Sequence, residues 1–154
     1  MITNKPGFRL VRCDVLGRPT EPISDVAATF IDHARGAAEL YQRVGFSEPW
    51  VFYAAVWNGH AVGGGAFMGA PINGEVEIAF FTLGPYSRQG FATDTARRLL
   101  GIAHHTEECP NIVARSQEGD RAAARILRRL RFRQRRRPGH SDRVIVWEHR
   151  TRGR

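Results

Sequence analysis

Lysine is almost absent from this chain of 154 residues, in which Lys5 stands alone against 22 arginines. The P-loop that binds nucleotide phosphates requires G-x-x-x-x-G-K followed by Ser or Thr, and no such string occurs. The glycines at 63–65 lie between two strand patterns and do not form the G-x-G-x-x-G fingerprint of dinucleotide-binding folds. Both of these phosphate-binding loops are therefore excluded.

Cysteine and long apolar segments are also scarce. Cys13 and Cys109 are far apart and match no metal or redox spacing, so we expect two reduced structural thiols. No stretch approaches the roughly 18 apolar residues needed to cross a bilayer, and the first residues contain no signal-peptide core. We expect a cytoplasmic protein without a membrane partner.

The charge is strongly positive, with a formal net value of +8. Nine arginines fall between Arg121 and Arg137. Three interpretations of this cluster stay open: a solvated helix face with an exposed strand, assistance to the phosphates of a cofactor, or a contact with nucleic acid or the ribosome. The hydrophobic fraction of 42% and the length indicate one globular domain spanning residues 1–154.

The apolar periodicity predicts a mixed α+β fold. Asn58-Gly59 and Asn73-Gly74 are type I′ hairpin signals, and they join three strands into an antiparallel meander. A later strand follows a helix and is expected to pair in parallel with the third meander strand. Ser24 is the predicted N-cap of the first helix, with a break near Gly36. The predicted strands are 9–16, 51–57, 61–68, 75–83, 111–115, 133–137 and 143–149, and the predicted helices are 25–44, 92–105 and 120–131.

The most informative segment is residues 77–93, which read EIAFFTLGPYSRQGFAT. A strand pattern reaches a turn at Gly84-Pro85, a short polar loop follows, and a helix pattern begins directly after it. The start of a helix presents unpaired N–H groups and the positive end of the helix dipole, which together bind anions. Gly90 lets a phosphate approach the backbone closely. The segment therefore predicts a phosphorylated cofactor.

This segment resembles the acyl-CoA loop of the GNAT acetyltransferases, and within them the branch that acetylates protein N-termini, including those of ribosomal proteins. The family pattern is similar to E-I-G-Y-x-V/L-x-P-E-Y-R-G-K/Q-G-Y-A-T-E-A. A second segment, residues 117–132, resembles a later family helix at Leu127, Leu130 and Phe132, so the resemblance covers roughly residues 50 to 135. The first segment matches without a gap at Glu77, Ile78, Phe80, Tyr86, Gln89, Gly90, Phe91, Ala92, Thr93 and Ala96.

The chain departs from the family pattern at several positions. Arg88 stands where the family has Gly. A left-handed backbone at Arg88 would cost about 1 kcal/mol, so we expect an ordinary conformation there and a side chain that helps to neutralise phosphates. Asp120 stands where the family has Asn, and an ionised Asp cannot donate a hydrogen bond.

The resemblance implies a GNAT-like, mostly antiparallel sheet with a splayed parallel strand pair and helices on both faces. It implies an N-acetyltransferase that uses acetyl-CoA as cosubstrate and needs no metal. The acceptor is a primary amine, either a protein N-terminus or a small molecule, and a homodimer is compatible with the family. The implied cofactor-binding residues are Phe81, Thr82 and Leu83 for the pantetheine, Arg88, Gln89, Gly90, Phe91, Ala92 and Thr93 for the pyrophosphate, and Asp120 near the pantetheine.

Catalysis of acetyl transfer requires a neutral amine, and the resemblance makes Glu77 the candidate base. Strand alternation places Glu75, Glu77 and Phe81 on one face. Two alternatives stay open: Glu77 is an ion-pair partner of an arginine, or Glu75 is the base. No general acid is evident, because relatives use a Tyr where this chain has Leu127 or a Ser where it has Ala123. The remaining candidates for the acid are Tyr86, Ser116 and water.

Other polar and aromatic residues receive structural interpretations. His104 and His105 end the second predicted helix, where imidazolium stabilises the helix dipole, and we interpret them as capping residues and not as metal ligands. The meander aromatics are expected to form core and cleft wall. The competing function is a non-catalytic GNAT-shaped module that binds CoA or nucleic acid through the Arg-rich C-terminal region. The sequence leaves the acceptor amine undetermined.

Overall fold

The computed structural model of the protein contains one central sheet and describes residues 5–108, 110–135 and 143–150. Its seven strands among these residues are β1 (Phe8–Arg12), β2 (Phe52–Trp57), β3 (His60–Phe67), β4 (Glu75–Thr82), β5 (Asn111–Gln117), β6 (Arg133–Gln134) and β7 (Val144–His149). They pair in the order β1-β2-β3-β4-β5-β7-β6. The parallel pair is β4 and β5, and the other neighbours are antiparallel.

Both predicted Asn-Gly turns are present and join β2, β3 and β4 into the expected meander. Asn58 and Gly59 have φ of 52° and 83°, and Asn73 and Gly74 have φ of 52° and 75°. Two successive positive φ values are the signature of type I′ turns, whose twist matches that of the flanking strands. The predicted mixed and mostly antiparallel sheet is therefore confirmed.

Helices cover both faces of the sheet: α1 (Ala28–Val44), α2 (Phe91–His104) and α3 (Arg121–Arg129). Adjacent glycines in β3 show how α1 and α2 reach opposite faces. A Cβ at Gly64 would lie 2.9 Å from the Phe81 ring, which packs against α1, whereas a Cβ at Gly65 would lie 2.8 Å from Leu99 of α2. Successive strand residues point to opposite faces, so each glycine lets one layer approach the sheet.

The core between these layers is apolar, with Phe30, Phe67, Leu99, Ile112 and Trp147 almost fully buried. The predicted aromatics Trp50, Phe52, Tyr53 and Phe67 belong to it, and Trp57 packs at its edge. Cys13 is buried, and burial raises the pKa of its thiol to about 12, so it is a structural thiol. Cys109 lies outside the described residues.

The start of α1 differs from the prediction. Ser24 does not cap the helix, which begins at Ala28 after an N-cap residue, Ala27, without a side-chain hydrogen bond. The Ser24 N–H instead donates to the Gly59 carbonyl at 2.8 Å, which ties this segment to the β2–β3 turn. A tertiary contact thus overrides a local capping signal, and the helix continues unbroken through Gly36.

Strand β1 and the C-terminal hairpin are shorter than predicted. The chain leaves β1 after Arg12, and Asp14 accepts hydrogen bonds from the N–H groups of Leu16 and Arg18, which forms a turn. Strand β6 contains Arg133 and Gln134 only, and the predicted continuation through 136–137 lies outside the described residues. No helix among the described residues is long and apolar enough to cross a membrane.

Candidate active site

A fork opens between the parallel strands β4 and β5. Their pairing begins at Glu75 with Asn111 and ends at Ile78 with Ala114. Beyond this point β4 follows β3 as far as Thr82, and β5 follows β7 as far as Gln117. The two strands no longer pair with each other over this length, so their facing edges can accept an extended chain. The fork is the predicted splayed pair.

The backbone of β4 alternates between its two neighbours. The Leu83 N–H donates to the Val62 carbonyl and the Met68 N–H donates to the Glu77 carbonyl, both at 2.8 Å. Because hydrogen bonding alternates along an antiparallel pair, Phe81 also faces β3, and Thr82 faces the fork. The Leu83 carbonyl accepts from the Tyr86 N–H at 2.9 Å. Of the three predicted pantetheine contacts, Thr82 is therefore the one whose backbone lies in the fork.

The loop after β4 contains two residues in left-handed conformations just before α2. A short 3₁₀ turn, Gly84–Tyr86, leads to Arg88 with φ of 62° and to Gly90 with φ of 85°. Left-handed residues alternating with ordinary ones produce anion-binding nests. Gly90 is the N-cap of α2, and no side chain caps this helix among the described residues. The predicted pyrophosphate residues 88–93 thus surround an open helix start.

The expectation of an ordinary conformation at Arg88 is wrong. Its φ of 62° lies in the left-handed region that usually favours glycine. The same loop turn that a family member makes with Gly is made here with Arg, at a local cost of about 1 kcal/mol. Its side chain is exposed at the mouth of the loop, where a guanidinium is suited to phosphate recognition.

An acidic residue in the first turn of α2 is held by two cations. Asp94 is 6% exposed and accepts from the Lys5 ammonium at 2.8 Å and from Arg97 at 3.2 Å. Lys5 also lies 5.0 Å from the centroid of the Phe91 ring. The Lys5 ammonium also lies beside Gly90, 3.0 Å from the position that a Cβ would take there. Together with Arg97 it offsets a carboxylate that would otherwise repel an anion at this helix start.

Glu77 lies at the base of the fork. It pairs with Val113 one residue before the β4–β5 ladder ends, and its carboxylate lies 3.3 Å from the guanidinium of Arg115. Glu75, the alternative base, is engaged with Arg135, which also binds Glu148. Glu77 is two residues closer than Glu75 to the point where the strands separate. Because it is paired with Arg115, it can serve either as a base or as an ion-pair partner.

The candidate acids differ in their surroundings. Ser116 is buried, and its Oγ accepts a hydrogen bond from the Trp147 indole at 2.9 Å. Its hydroxyl proton remains available for donation. Tyr86 packs edge-on against Phe91 with 6.0 Å between ring centroids. Ser116 belongs to β5 beyond the point where the strands separate, and Tyr86 belongs to the loop that follows β4.

Asp120 caps α3 and also belongs to a basic cleft. Its carboxylate accepts from the Ala123 N–H at 3.0 Å. The cleft has a volume of about 480 Å³, and Gln117 at the end of β5 lines it together with Asp120. Arg128 covers the Trp147 ring at 5.2 Å. The cleft is lined by three arginines of the C-terminal cluster, namely Arg121, Arg125 and Arg128.

A cleft between α1 and the sheet is a feature that the sequence did not reveal. Its volume is about 640 Å³, within the range of small-molecule sites. The α1 wall repeats at intervals of three and four residues, which places one helical face along the cleft. The lining residues of α1 are Thr29, Asp32, His33, Gly36, Ala37, Leu40 and Arg43, and those of the sheet are Phe52, Gly65, Ala66, Met68, Ala79, Phe80 and Phe81. The small residues Gly36 and Ala37 on this face of α1 were the sequence feature that could have indicated open space beside the helix.

The two histidines at the end of α2 have different environments. His105 Nδ1 lies 2.6 Å from the Gly101 carbonyl, as expected of a capping residue. His104 packs near His149 with 5.4 Å between ring centroids, and burial lowers the pKa of both. Across the described ranges, no three His, Cys, Asp or Glu side chains converge in a way that could hold a metal ion.

The mixed sheet, the forked parallel pair and the open helix start define the architecture of an acyl-CoA-binding acyltransferase. The family model described as an acetyltransferase (GNAT) domain matches residues 12–133. The chain therefore belongs to the GNAT acetyltransferase family, whose members use acetyl-CoA as the acyl donor.

Individual relatives agree with this assignment. The chain is 33% identical over 76 residues to the uncharacterized N-acetyltransferase YjdG of Bacillus subtilis (strain 168). That alignment spans 49% of this chain and 45% of the relative, so the chain spans less than half the length of the curated relative it matches.

Solved structures share the fold at low sequence identity. RimL, described as a ribosomal L7/L12 alpha-N-protein acetyltransferase in complex with coenzyme A, superimposes with a TM-score of 0.66, 15% identity and coverage of 94% of each chain. YncA, described as a putative acetyltransferase from Salmonella typhimurium with acetyl-CoA, gives a TM-score of 0.64, 15% identity and coverage of 96% of this chain and 95% of its own.

Proposed function

We propose that this protein transfers the acetyl group of acetyl-CoA to a primary amine. The observation that carries the proposal is the open start of α2 directly after the fork. The fork provides an edge for the pantetheine at Thr82, and the loop of residues 88–93 provides N–H donors for the pyrophosphate. Asp120, the N-cap residue of α3, follows the end of β5 by three residues and is proposed to approach the pantetheine.

Glu77 is the proposed base, acting on the amine directly or through water. An amine attacks a thioester only when neutral, so its proton must be removed before or during the transfer. Positioning of both reactants in one cleft contributes most of the rate enhancement. The departing sulfur accepts a proton from Ser116, Tyr86 or water, which completes the exchange of acetyl for proton.

The test measures thiol release from acetyl-CoA with a panel of primary amines. Glu77→Gln is expected to lower kcat by about 10²-fold or more while the KM for acetyl-CoA changes little. Arg115→Gln removes the ion-pair partner alone and should change kcat much less. Equal losses in Arg115→Gln and Glu77→Gln would assign Glu77 a structural role, and a large loss in Glu75→Gln alone would make Glu75 the base.

The basic cleft beside α3 supports a second candidate, a module that binds nucleic acid without turnover. The three α3 arginines that line it surround a volume of about 480 Å³. Counterion release makes such binding strongly dependent on salt. Salt-sensitive RNA binding that is lost in Arg121→Glu/Arg125→Glu, together with no thiol release from acetyl-CoA, would favour the module over the enzyme.

A further inference from the structure

The floor of the cleft beneath α1 is mostly apolar and comes from β2, β3 and β4. Ala79 and Phe81 of β4 lie on the same strand face as Glu77, and both line the cleft. Ala79 is exposed, so the strand offers an open surface between the proposed base and the Phe81 ring. An amine that reaches Glu77 therefore places its attached group against this floor.

The aromatic end of the cleft is built from stacked rings. His33 lies flat on Phe81 with 3.6 Å between ring centroids and an interplanar angle of 9°. Phe52 stacks near Phe81 at 6.3 Å and 7°. Gly64 leaves the space that the Phe81 ring occupies, because a Cβ there would come within 2.9 Å of it. The exposed member of this stack is the His33 imidazole, so an aromatic ring borders this end of the cleft.

The charges around the cleft do not suit a polycation. Of the described lining residues, Asp32 is the only carboxylate, and Arg43 carries the opposite charge on the same helix. Glu77 is already paired with Arg115. The whole chain has a formal charge of +8. Acceptors with several positive charges would enter a positively charged protein through a cleft with no excess of carboxylates.

We propose that the acceptor is a primary amine attached directly to a large apolar group, and that the cleft beneath α1 binds that group. This inference rests on the proposed acetyl transfer and specifies its second substrate. The same chemistry has two sources, namely a peptide whose first side chain is large and apolar, or a free arylalkyl amine. Polyamines and amines beside cationic groups are disfavoured.

The test compares kcat/KM for matched acceptors with the full-length protein. Peptides of identical sequence after the first residue begin with Phe, Leu, Ser or Lys, and phenethylamine is compared with spermidine. We expect the Phe or Leu peptide to exceed the Ser and Lys peptides by about tenfold or more, since burying several methylenes in a pocket discriminates by at least that factor. The kcat/KM for phenethylamine should exceed that for spermidine by a similar factor. Whichever of the Phe peptide and phenethylamine has the higher kcat/KM shows whether the acceptor is a peptide or a free amine.

A variant with a new carboxylate in the cleft tests the location. Met68 lines the cleft and is 37% exposed, so Met68→Glu introduces a charge there without burying it. It should lower the Phe-to-Lys peptide ratio several-fold. Gln42→Glu adds the same charge to an exposed position of α1 outside the lining and should leave the ratio unchanged.

The possible results distinguish a failure of this inference from a failure of the proposed acetyl transfer. Faster thiol release with spermidine or the Lys peptide overturns the inference and leaves acetyl transfer standing. An unchanged ratio in Met68→Glu also overturns it. If no acceptor releases thiol and coenzyme A gives no thermal shift, the proposed function falls and the inference falls with it.

Discussion

The starts of α2 and α3 differ in what occupies them. At α3, the Asp120 carboxylate accepts from the Ala123 N–H, so the helix supplies its own anion. At α2, the N-cap is Gly90, which has no side chain, and the acid in the first turn, Asp94, is bound by Lys5 and Arg97. Both starts have the same unpaired N–H groups in principle. We therefore expect the start of α2, and not that of α3, to bind an external anion.

The largest effect is expected when an Asp side chain is introduced at the start of α2 and, as the matched control, just before α3. Gly90 and Gly119 have nearly equal φ values of 85° and 90°, so Asp carries a similar backbone cost at both. A Cβ at Gly90 would also lie 3.0 Å from the Lys5 ammonium, whereas a Cβ at Gly119 would meet nothing within 4 Å. Gly90→Asp should abolish the thermal shift given by millimolar coenzyme A, because the new charge repels the diphosphate. Gly119→Asp should retain the shift. Loss of the shift in both variants, measured by differential scanning fluorimetry, would show that the two starts are not functionally different.

Lys5→Met should cause the next largest effect. It leaves Asp94, which is 6% exposed, with Arg97 as its remaining cation. Removing one partner of a buried ion pair costs about 3 kcal/mol of unfolding free energy, measured in urea. The freed carboxylate should also weaken coenzyme A binding.

The double variant Lys5→Met/Asp94→Asn is the control. Because the two side chains interact directly, their effects should not add, and the double variant should recover part of the lost stability. Additive losses would mean that Lys5 stabilises the fold through the Phe91 ring and not through Asp94.

At α3, Asp120→Ala should lower the unfolding free energy by about 1 kcal/mol, the usual contribution of an N-cap. Asp120→Asn keeps the cap and should retain this stability. A fall in coenzyme A affinity of more than several-fold in the Ala variant, with stability unchanged, would mean that Asp120 serves the ligand and not the helix.

The sequence predicted the fold better than the site because strands and turns are local. The Asn-Gly pairs predicted the meander, and alternation in β4 predicted one face for Glu75 and Glu77, opposite which the structure buries Val76 and Ile78. The cap at Ser24 was wrong because the competing partner, Gly59, lies 35 positions away in the chain. Local signals specify an element, while its boundary depends on what it packs against.

The site was predictable in part for the same reason. The loop of residues 84–93 is contiguous, so its resemblance to a known pattern was visible. Lys5 and Asp94 are separated by 89 positions, and the α1 cleft combines one helix with three strands. Neither arrangement leaves a contiguous pattern. The conformation of Arg88 was mispredicted because the local backbone cost was judged without the closure of the loop around it.

The smallest effect is expected from replacing two arginines that have left-handed backbone conformations. Arg88 precedes α2 with φ of 62°, and Arg131 follows α3 with φ of 70°. Replacement by Gly removes a strain of about 1–2 kcal/mol and costs about 0.5–1 kcal/mol in unfolded-state entropy. Each variant should therefore gain up to about 1.5 kcal/mol in unfolding free energy. Only Arg88→Gly should weaken coenzyme A binding, since it removes a cation at the open helix start. Equal affinities in the two variants would show that this loop binds through its backbone alone.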